Sequence, residues 1–313
     1  MTEFLIKNED LTGIKDKVVV VTGGSSGIGL ATINLALSLG AKAVSADVTP
    51  PPTIPTSNFL FVKADVSIWT DLTSLFKQAK EKFGRIDYVF ANAGISPRAN
   101  YLRLNLLEDG ELMEPNYDLI DIMLRGVMNT ATLGVHYMKQ QPEGGAIVLM
   151  GSSTSLQPMR APDYCTYPPF SQLKNTTPIS TKPTTKPTTL TSPTATSKAG
   201  TLAFGRGLAL LTSLSSLPIR VNTLLPSWTT TNLLPSFSAI MEGVKHRSQD
   251  SSLVAKCAIH LFLDAKRNGE GVFVADGRFV EVDKAILQPA YERIKGEGPS
   301  DDEIFGRILA LGE

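Results

Sequence analysis

The residues best placed to do chemistry lie near the start of the chain. Val18-Val19-Val20-Val21 is followed by Thr22-Gly23-Gly24-Ser25-Ser26-Gly27-Ile28-Gly29, and then by an apolar helical pattern through Leu30, Ile33 and Leu37. Four β-branched residues in a row read as a strand buried on both faces, as in parallel sheets. Strand, glycine turn and helix together make a cradle for a pyrophosphate. The first helical N–H groups point at the anion, the helix dipole favours negative charge there, and side chains at the glycines would hold the phosphates away. Gly23, Ser25, Ser26, Gly27, Ile28 and Gly29 are the candidate contacts. The glycines alone fit a plain strand-helix turn equally well. The context adds Asp47, which ends a second apolar run, Ala41 to Ala46. A carboxylate there can accept both hydroxyls of an adenosine ribose and repels a 2′-phosphate, so NAD is expected over NADP.

The stretch from Thr22 to Gly29 closely resembles the cofactor motif of the short-chain dehydrogenase/reductase family, and the likeness continues along the chain. Apolar runs at Phe59–Val62, Ile86–Phe90, Ala146–Met150, Ile219–Leu225 and Gly271–Ala275 read as further strands. The fold expected is α/β: a doubly wound Rossmann fold, with a seven-stranded, mostly parallel sheet and helices on both faces. One domain is expected over residues 10–285, preceded by a polar lead-in over 1–15 and followed by a helical tail over 286–313.

The resemblance assigns several roles. Asp65 and Val66 stand where an Asp-Val pair binds the adenine edge; a helix N-cap acid is the plain alternative for Asp65. Asn92-Ala93-Gly94 matches the family's Asn-Ala-Gly motif, in which the Asn steadies the central strand and the small residues let the cofactor lie against the backbone. Thr229 falls where backbone contacts to the nicotinamide amide are expected, and Thr231 where a hydroxyl meets the pyrophosphate. Residues 116–140 read as one long helix. Within it Met123 replaces an Asn that would hold a water on the catalytic Lys, and methionine cannot do that. Arg125 is either a cofactor contact or a solvated helix charge. Ser152, with Ser153 beside it, is the candidate anchor for the substrate oxygen.

The family's proton-transfer pair is Tyr, three residues, then Lys, which sets both on one helix face a turn apart. The phenol passes a proton to or from the substrate oxygen; the ammonium lowers the phenol pKa and binds the nicotinamide ribose. Here Lys198 has Thr194 four residues before it, and the candidate Tyr164 lies far upstream. Between them runs a segment rich in Thr, Pro, Ser and Lys, which cannot bury a core and is expected to be disordered. Removing 165–194 joins Tyr164 to Ala195 and reads Asp-Tyr-Ala-Thr-Ser-Lys-Ala-Gly, with the required spacing. The segment therefore reads as a translated intron or a gene-model error: Cys165-Thr166-Tyr167 can encode a common fungal 5′ splice sequence, and Leu190-Thr191 a branch point. A genuine insertion is the alternative, since closing a flexible loop adds only a logarithmic entropy cost.

The chain has 313 residues, 42% hydrophobic and 19% charged, with no net formal charge. Nothing there points to nucleic acid or an anionic membrane. Cys165 and Cys257 lack metal-ligand spacing, so no metal and a reducing compartment are expected. With no signal-peptide pattern in residues 1–17 and no apolar run of roughly 18 residues, a cytoplasmic protein is expected. The resemblance implies hydride transfer between NAD and a secondary alcohol or ketone, in a homodimer or homotetramer. Trp228, Leu233, Leu234, Phe237 and Met241 make a lid that either faces a small hydrophobic substrate or simply packs on its own apolar residues. The proline loops and splice-like insert associate the chain with fungal secondary metabolism. A catalytically impaired NAD-binding protein and a cofactor-assisted isomerase or cyclase are the competing readings.

Overall fold

β-Branched side chains crowd a helix and pack well on a pleated sheet, and Val18–Thr22 forms a strand in which every residue is buried. Its side chains divide between two cores. Val19 and Val21 join Ile33, Ala36, Val254 and Phe262; Val18 and Val20 join Leu72, Phe76, Val127 and Ala209. A strand that feeds two cores belongs to a sheet covered on both faces. The computed structural model describes residues 2–53, 56–96, 106–156, 193–231, 233 and 237–311.

The strands are β1 (Glu3–Phe4), β2 (Val18–Thr22), β3 (Lys42–Asp47), β4 (Phe59–Lys63), β5 (Tyr88–Ala91), β6 (Gly145–Met150), β7 (Ile219–Pro226), β8 (Gly271–Ala275) and β9 (Arg278–Glu281). They form one sheet in the order β1-β9-β8-β7-β6-β5-β2-β3-β4. Every pairing from β4 to β8 is parallel; β9 runs antiparallel to β8 and to β1. The helices α1 (Gly27–Ser38), α2 (Trp69–Phe83), α3 (Gly126–Met138), α4 (Pro193–Leu214) and α5 (Ser251–Leu263) cover it. α1 and α5 feed one core, and α2, α3 and α4 the other. Strand order reverses between β2 and β5, and ligands of open α/β sheets bind at such a point, beyond the carboxyl ends of the strands.

The α/β class is as expected, but nine strands replace the expected seven. β9 follows a two-residue turn, Asp276-Gly277, with φ of 49° and 79°. Positive φ at both central residues is the geometry that suits a tight hairpin, and Asp-Gly favours it. β9 in turn offers an edge to β1, where Glu3 pairs with Val280 and bridges Arg278 at 2.9 Å. The lead-in is thus not merely polar: it carries β1 and a 3-10 turn, Glu9–Ile14, that buries Leu11 and Ile14.

The helix expected over 116–140 is broken into a single turn (Asp118–Ile120), a π turn (Asp121–Arg125) and α3. α4 starts at Pro193, where a first-turn proline loses no needed N–H. Pro193 and Thr194, the last two residues of the expected disordered insert, are therefore helical; the insert's other residues lie outside those described. Among the described residues no helix is long and apolar enough to cross a membrane.

Candidate active site

The carboxyl ends of β2 and β5 meet through Thr22. Its hydroxyl accepts from the N–H groups of Asn92 (3.0 Å) and Ala93 (3.3 Å), while Asn92 Nδ2 donates to the carbonyls of Thr22 (3.0 Å) and Gly23 (3.2 Å). Asn92 thus spans the point where strand order reverses. The turn between β2 and α1 tolerates no side chain at Gly29: a Cβ would lie 2.1 Å from the Gly23 carbonyl oxygen. Gly23 and Gly27 take φ of 67° and 51°. Ser26, the N-cap of α1, makes no side-chain cap bond, so the opening amides of α1 are left for another acceptor. Ser25 Oγ is buried with no hydrogen-bond partner among the described residues. An uncapped helix start over a glycine turn, with an orphan hydroxyl beside it, fits a diphosphate.

Asp47 closes β3 next to this turn. Its Oδ2 accepts from Ser25 N–H at 3.2 Å and its Oδ1 from Thr49 N–H at 3.2 Å. The Thr49 hydroxyl also donates to Oδ1, at 3.4 Å. Of about four acceptor sites on a carboxylate one is therefore open to a ribose hydroxyl, and a second opens when the Thr49 hydroxyl turns away. Thr231 packs over the turn, 3.2 Å from where a Gly27 Cβ would stand. The Thr229 hydroxyl donates to the Ser227 carbonyl at 2.8 Å and accepts from Gln249 Nε2 at 3.1 Å, so its side chain is held by its own strand end.

Asp65 stands three residues ahead of the N-cap of α2 and is not itself the cap. Its Oδ1 accepts from the N–H and hydroxyl of Ser67, an Asx turn ahead of α2, whose N-cap is Ile68. Val66 is buried against Gly126, where a Cβ would be 2.8 Å from Val66 Cγ2. Arg125 is paired with Asp121 at 3.1 Å and is 57% exposed. Met123 is 3% exposed, its Cε 3.5 Å from a Gly94 Cβ position, and its carbonyl accepts from Thr201 Oγ1 at 3.2 Å.

At the end of β6, Ser152 caps a one-turn 3-10 helix, Ser153–Ser155: its Oγ accepts from Thr154 N–H at 3.2 Å. Ser153 Oγ makes no hydrogen bond among the described residues. Lys198, on the first turns of α4, is buried. Its Nζ donates to the Met150 carbonyl at 2.6 Å, and burial pulls its pKa down to about 7. Tyr164, with Leu234, lies outside the described residues, and so does Cys165. The expected lid contains a short helix, Phe237–Gly243, and Met241 is buried.

A cavity of about 330 Å³ lies at the opposite, amino ends of the strands, lined by Lys17, Asp87, Tyr88, Gly145 and Arg220; no candidate residue borders it. Thr22 opens the cofactor motif, but the sequence assigns its hydroxyl no partner. Ser155 escapes a reading by motif and is visible only as the far end of a Ser-x-x-Ser capping pattern.

Residues 17–167 match the family model for short chain dehydrogenase. The chain is 39% identical over 316 residues to the short-chain dehydrogenase/reductase ascJ of Acremonium egyptiacum, covering 99% of this chain and 96% of that one. It is 39% identical over 159 residues to the short-chain dehydrogenase/reductase prx4 of Penicillium roqueforti, covering 50% of this chain and 47% of the relative. Among solved structures, a 3-ketoacyl-(acyl-carrier-protein) reductase from Brucella melitensis, complexed with NADH, superposes with a TM-score of 0.64 at 21% identity, over 83% of this chain and 97% of that one.

Proposed function

Because the chain belongs to the short-chain dehydrogenase/reductase family of oxidoreductases, we propose that it uses NAD(H) to interconvert a ketone and a secondary alcohol on a small hydrophobic molecule. The observation that carries this reading lies at the carboxyl ends of β2 and β5. There an uncapped helix start and the Asp47 carboxylate lie side by side, Ser152 follows the neighbouring strand β6, and Lys198 reaches from α4 to the last carbonyl of that strand. When bound, the nicotinamide supplies the hydride, so that ketone, NADH and one proton give alcohol and NAD+.

The chain's own groups handle everything but the hydride. The α1 amides and Thr231 receive the diphosphate, and Asp47 the adenosine ribose, which disfavours a 2′-phosphate. Ser152, whose oxygen already accepts from Thr154 N–H, keeps its O–H free to donate to the substrate oxygen. The Tyr164 phenol delivers or removes the proton at that oxygen, and the Lys198 side chain, when charged, lowers the phenol pKa. A place in fungal secondary metabolism completes the proposal; the relatives in Acremonium egyptiacum and Penicillium roqueforti support its fungal setting.

A second reading has its own observation. Met123 fills the position of a water-holding Asn with a buried thioether, which favours a chain that binds NADH and turns over slowly. Titrating NADH fluorescence and assaying a panel of hydrophobic ketones separates the two. Binding with turnover supports the reductase, binding without turnover the second reading, and no binding refutes both.

A further inference from the structure

Ser155 closes a ring of hydrogen bonds between the two groups assigned to the substrate oxygen and the phenol. Its hydroxyl donates to the Lys198 carbonyl at 2.8 Å and accepts from the Ser152 N–H at 3.3 Å. On the other side Lys198 Nζ donates to the Met150 carbonyl at 2.6 Å. Met150 and Ser152 are joined through Gly151, where a Cβ would stand 2.7 Å from Leu225 Cδ2 and 2.8 Å from the Leu224 carbonyl oxygen. The strand end therefore lies flush against β7 and has no room to slide. A 3-10 turn needs only its own cap, which Ser152 provides; the bond from Ser155 to a carbonyl 43 residues away adds nothing to that turn.

We propose that Ser155 is a positioning residue: it ties the turn carrying Ser152 to the helical turn carrying Lys198, and so fixes the separation of the serine hydroxyl and the lysine amine. This rests on the roles given to Ser152 and Lys198 under the proposed function. A serine hydroxyl can do it because it donates once and accepts at the same time. The Lys198 side chain is then clamped at both ends, by its carbonyl to Ser155 and by its amine to Met150.

The test compares Ser155→Ala, Ser155→Gly and Ser155→Thr in the full-length protein, first without cofactor. The pH titration of Lys198 is followed by NMR with 13Cε-labelled lysine and assigned with Lys198→Met. Loss of the hydroxyl is expected to loosen the clamp, admit water and raise the Lys198 midpoint by about one unit; Ser155→Thr, which keeps the hydroxyl, is expected to stay near wild type. With a turned-over ketone, Ser155→Ala is expected to lower kcat about tenfold while KM for NADH stays within about twofold. An unmoved midpoint in both hydroxyl-free variants overturns the proposal, as does an equal shift in Ser155→Thr. Wild-type protein that binds no NADH overturns the functional reading alone, since the titration still decides what Ser155 does.

Discussion

Lys198 Nζ donates to the Met150 carbonyl at 2.6 Å from a side chain that is almost wholly buried, and among the described residues no carboxylate pairs with it. A carbonyl replaces only part of the hydration an ammonium gives up. Burial accordingly depresses its pKa to about 7, against 10.5 in water. Near neutral pH the cofactor-free protein is balanced between amine and ammonium at this position.

That balance makes stability depend on pH in a definite direction. Between about 7 and 10.5 the unfolded chain carries a proton on Lys198 that the folded chain lacks, so stability rises with pH across this window and falls as pH drops back through it. The slope is at most about 1.4 kcal/mol per pH unit. Lys198→Met removes the ionisable group and its burial cost. Urea melts are expected to find the variant more stable at pH 7, with the two proteins converging toward pH 10. Curves separated by a constant gap would refute the assignment.

Asp47 receives Ser25 N–H on one oxygen and Thr49 N–H on the other, which leaves its charge beside the ribose position. Asp47→Ala is expected to weaken NADH binding roughly tenfold, the worth of about 1.4 kcal/mol, from the lost hydroxyl acceptors. NADPH binding is expected to weaken less or to improve, because the repulsion of a 2′-phosphate disappears. Fluorescence titrations with both dinucleotides measure the ratio, and an unchanged ratio would remove Asp47 from cofactor choice.

How much of this was legible beforehand depends on what each segment's signal is made of. β2 to β8 announce themselves because buried parallel strands are nearly continuous apolar runs. β9 is short and half polar, Arg278-Phe279-Val280-Glu281, so its signal rests on the Asp276-Gly277 turn ahead of it and not on an apolar run. β1 is two residues long and exists only because β9 leaves an edge, so nothing local encodes it. The π turn at Asp121–Arg125 leaves the sequence reading as one unbroken helix. Asn92 and the glycines were readable because their steric demands restrict residue type. Ser155 was not, since a serine hydroxyl makes sense only once Lys198 is known to lie against it.

The glycines offer a matched pair. At Gly29 the obstacle to a Cβ is the Gly23 carbonyl, backbone that cannot rotate away; at Gly207, inside α4, nothing stands within 4 Å. Gly29→Ala is expected to cost about 2 kcal/mol or more from overpacking and to abolish NADH binding. Gly207→Ala is expected to stabilise the protein by about 1 kcal/mol through helix propensity, with binding intact. Thermal melts with and without NADH read both outcomes.

The separation of Tyr164 from Lys198 is testable because α4 already exists where the missing half of the pair would stand. Thr194 and Lys198 both lie in α4, four residues apart and so on one face of it. A tyrosine at the position of Thr194 would inherit helical geometry, whereas Tyr164 reached across an insertion would be placed by a loop. Misplacement of about 1 Å can cost on the order of a hundredfold in rate. Two changes supply the tyrosine independently: deleting 165–194, which brings Tyr164 to the residue before Ala195, and Thr194→Tyr in the full-length chain. Both are expected to raise kcat over the unaltered chain by at least about tenfold, with NADH affinity nearly unchanged. A gain in the deletion alone would show that the insert itself obstructs the site. A gain in neither would mean that Tyr164 already serves from where it is, or that Met123 limits the chemistry; Met123→Asn in the deletion background distinguishes these, because only the second predicts recovery.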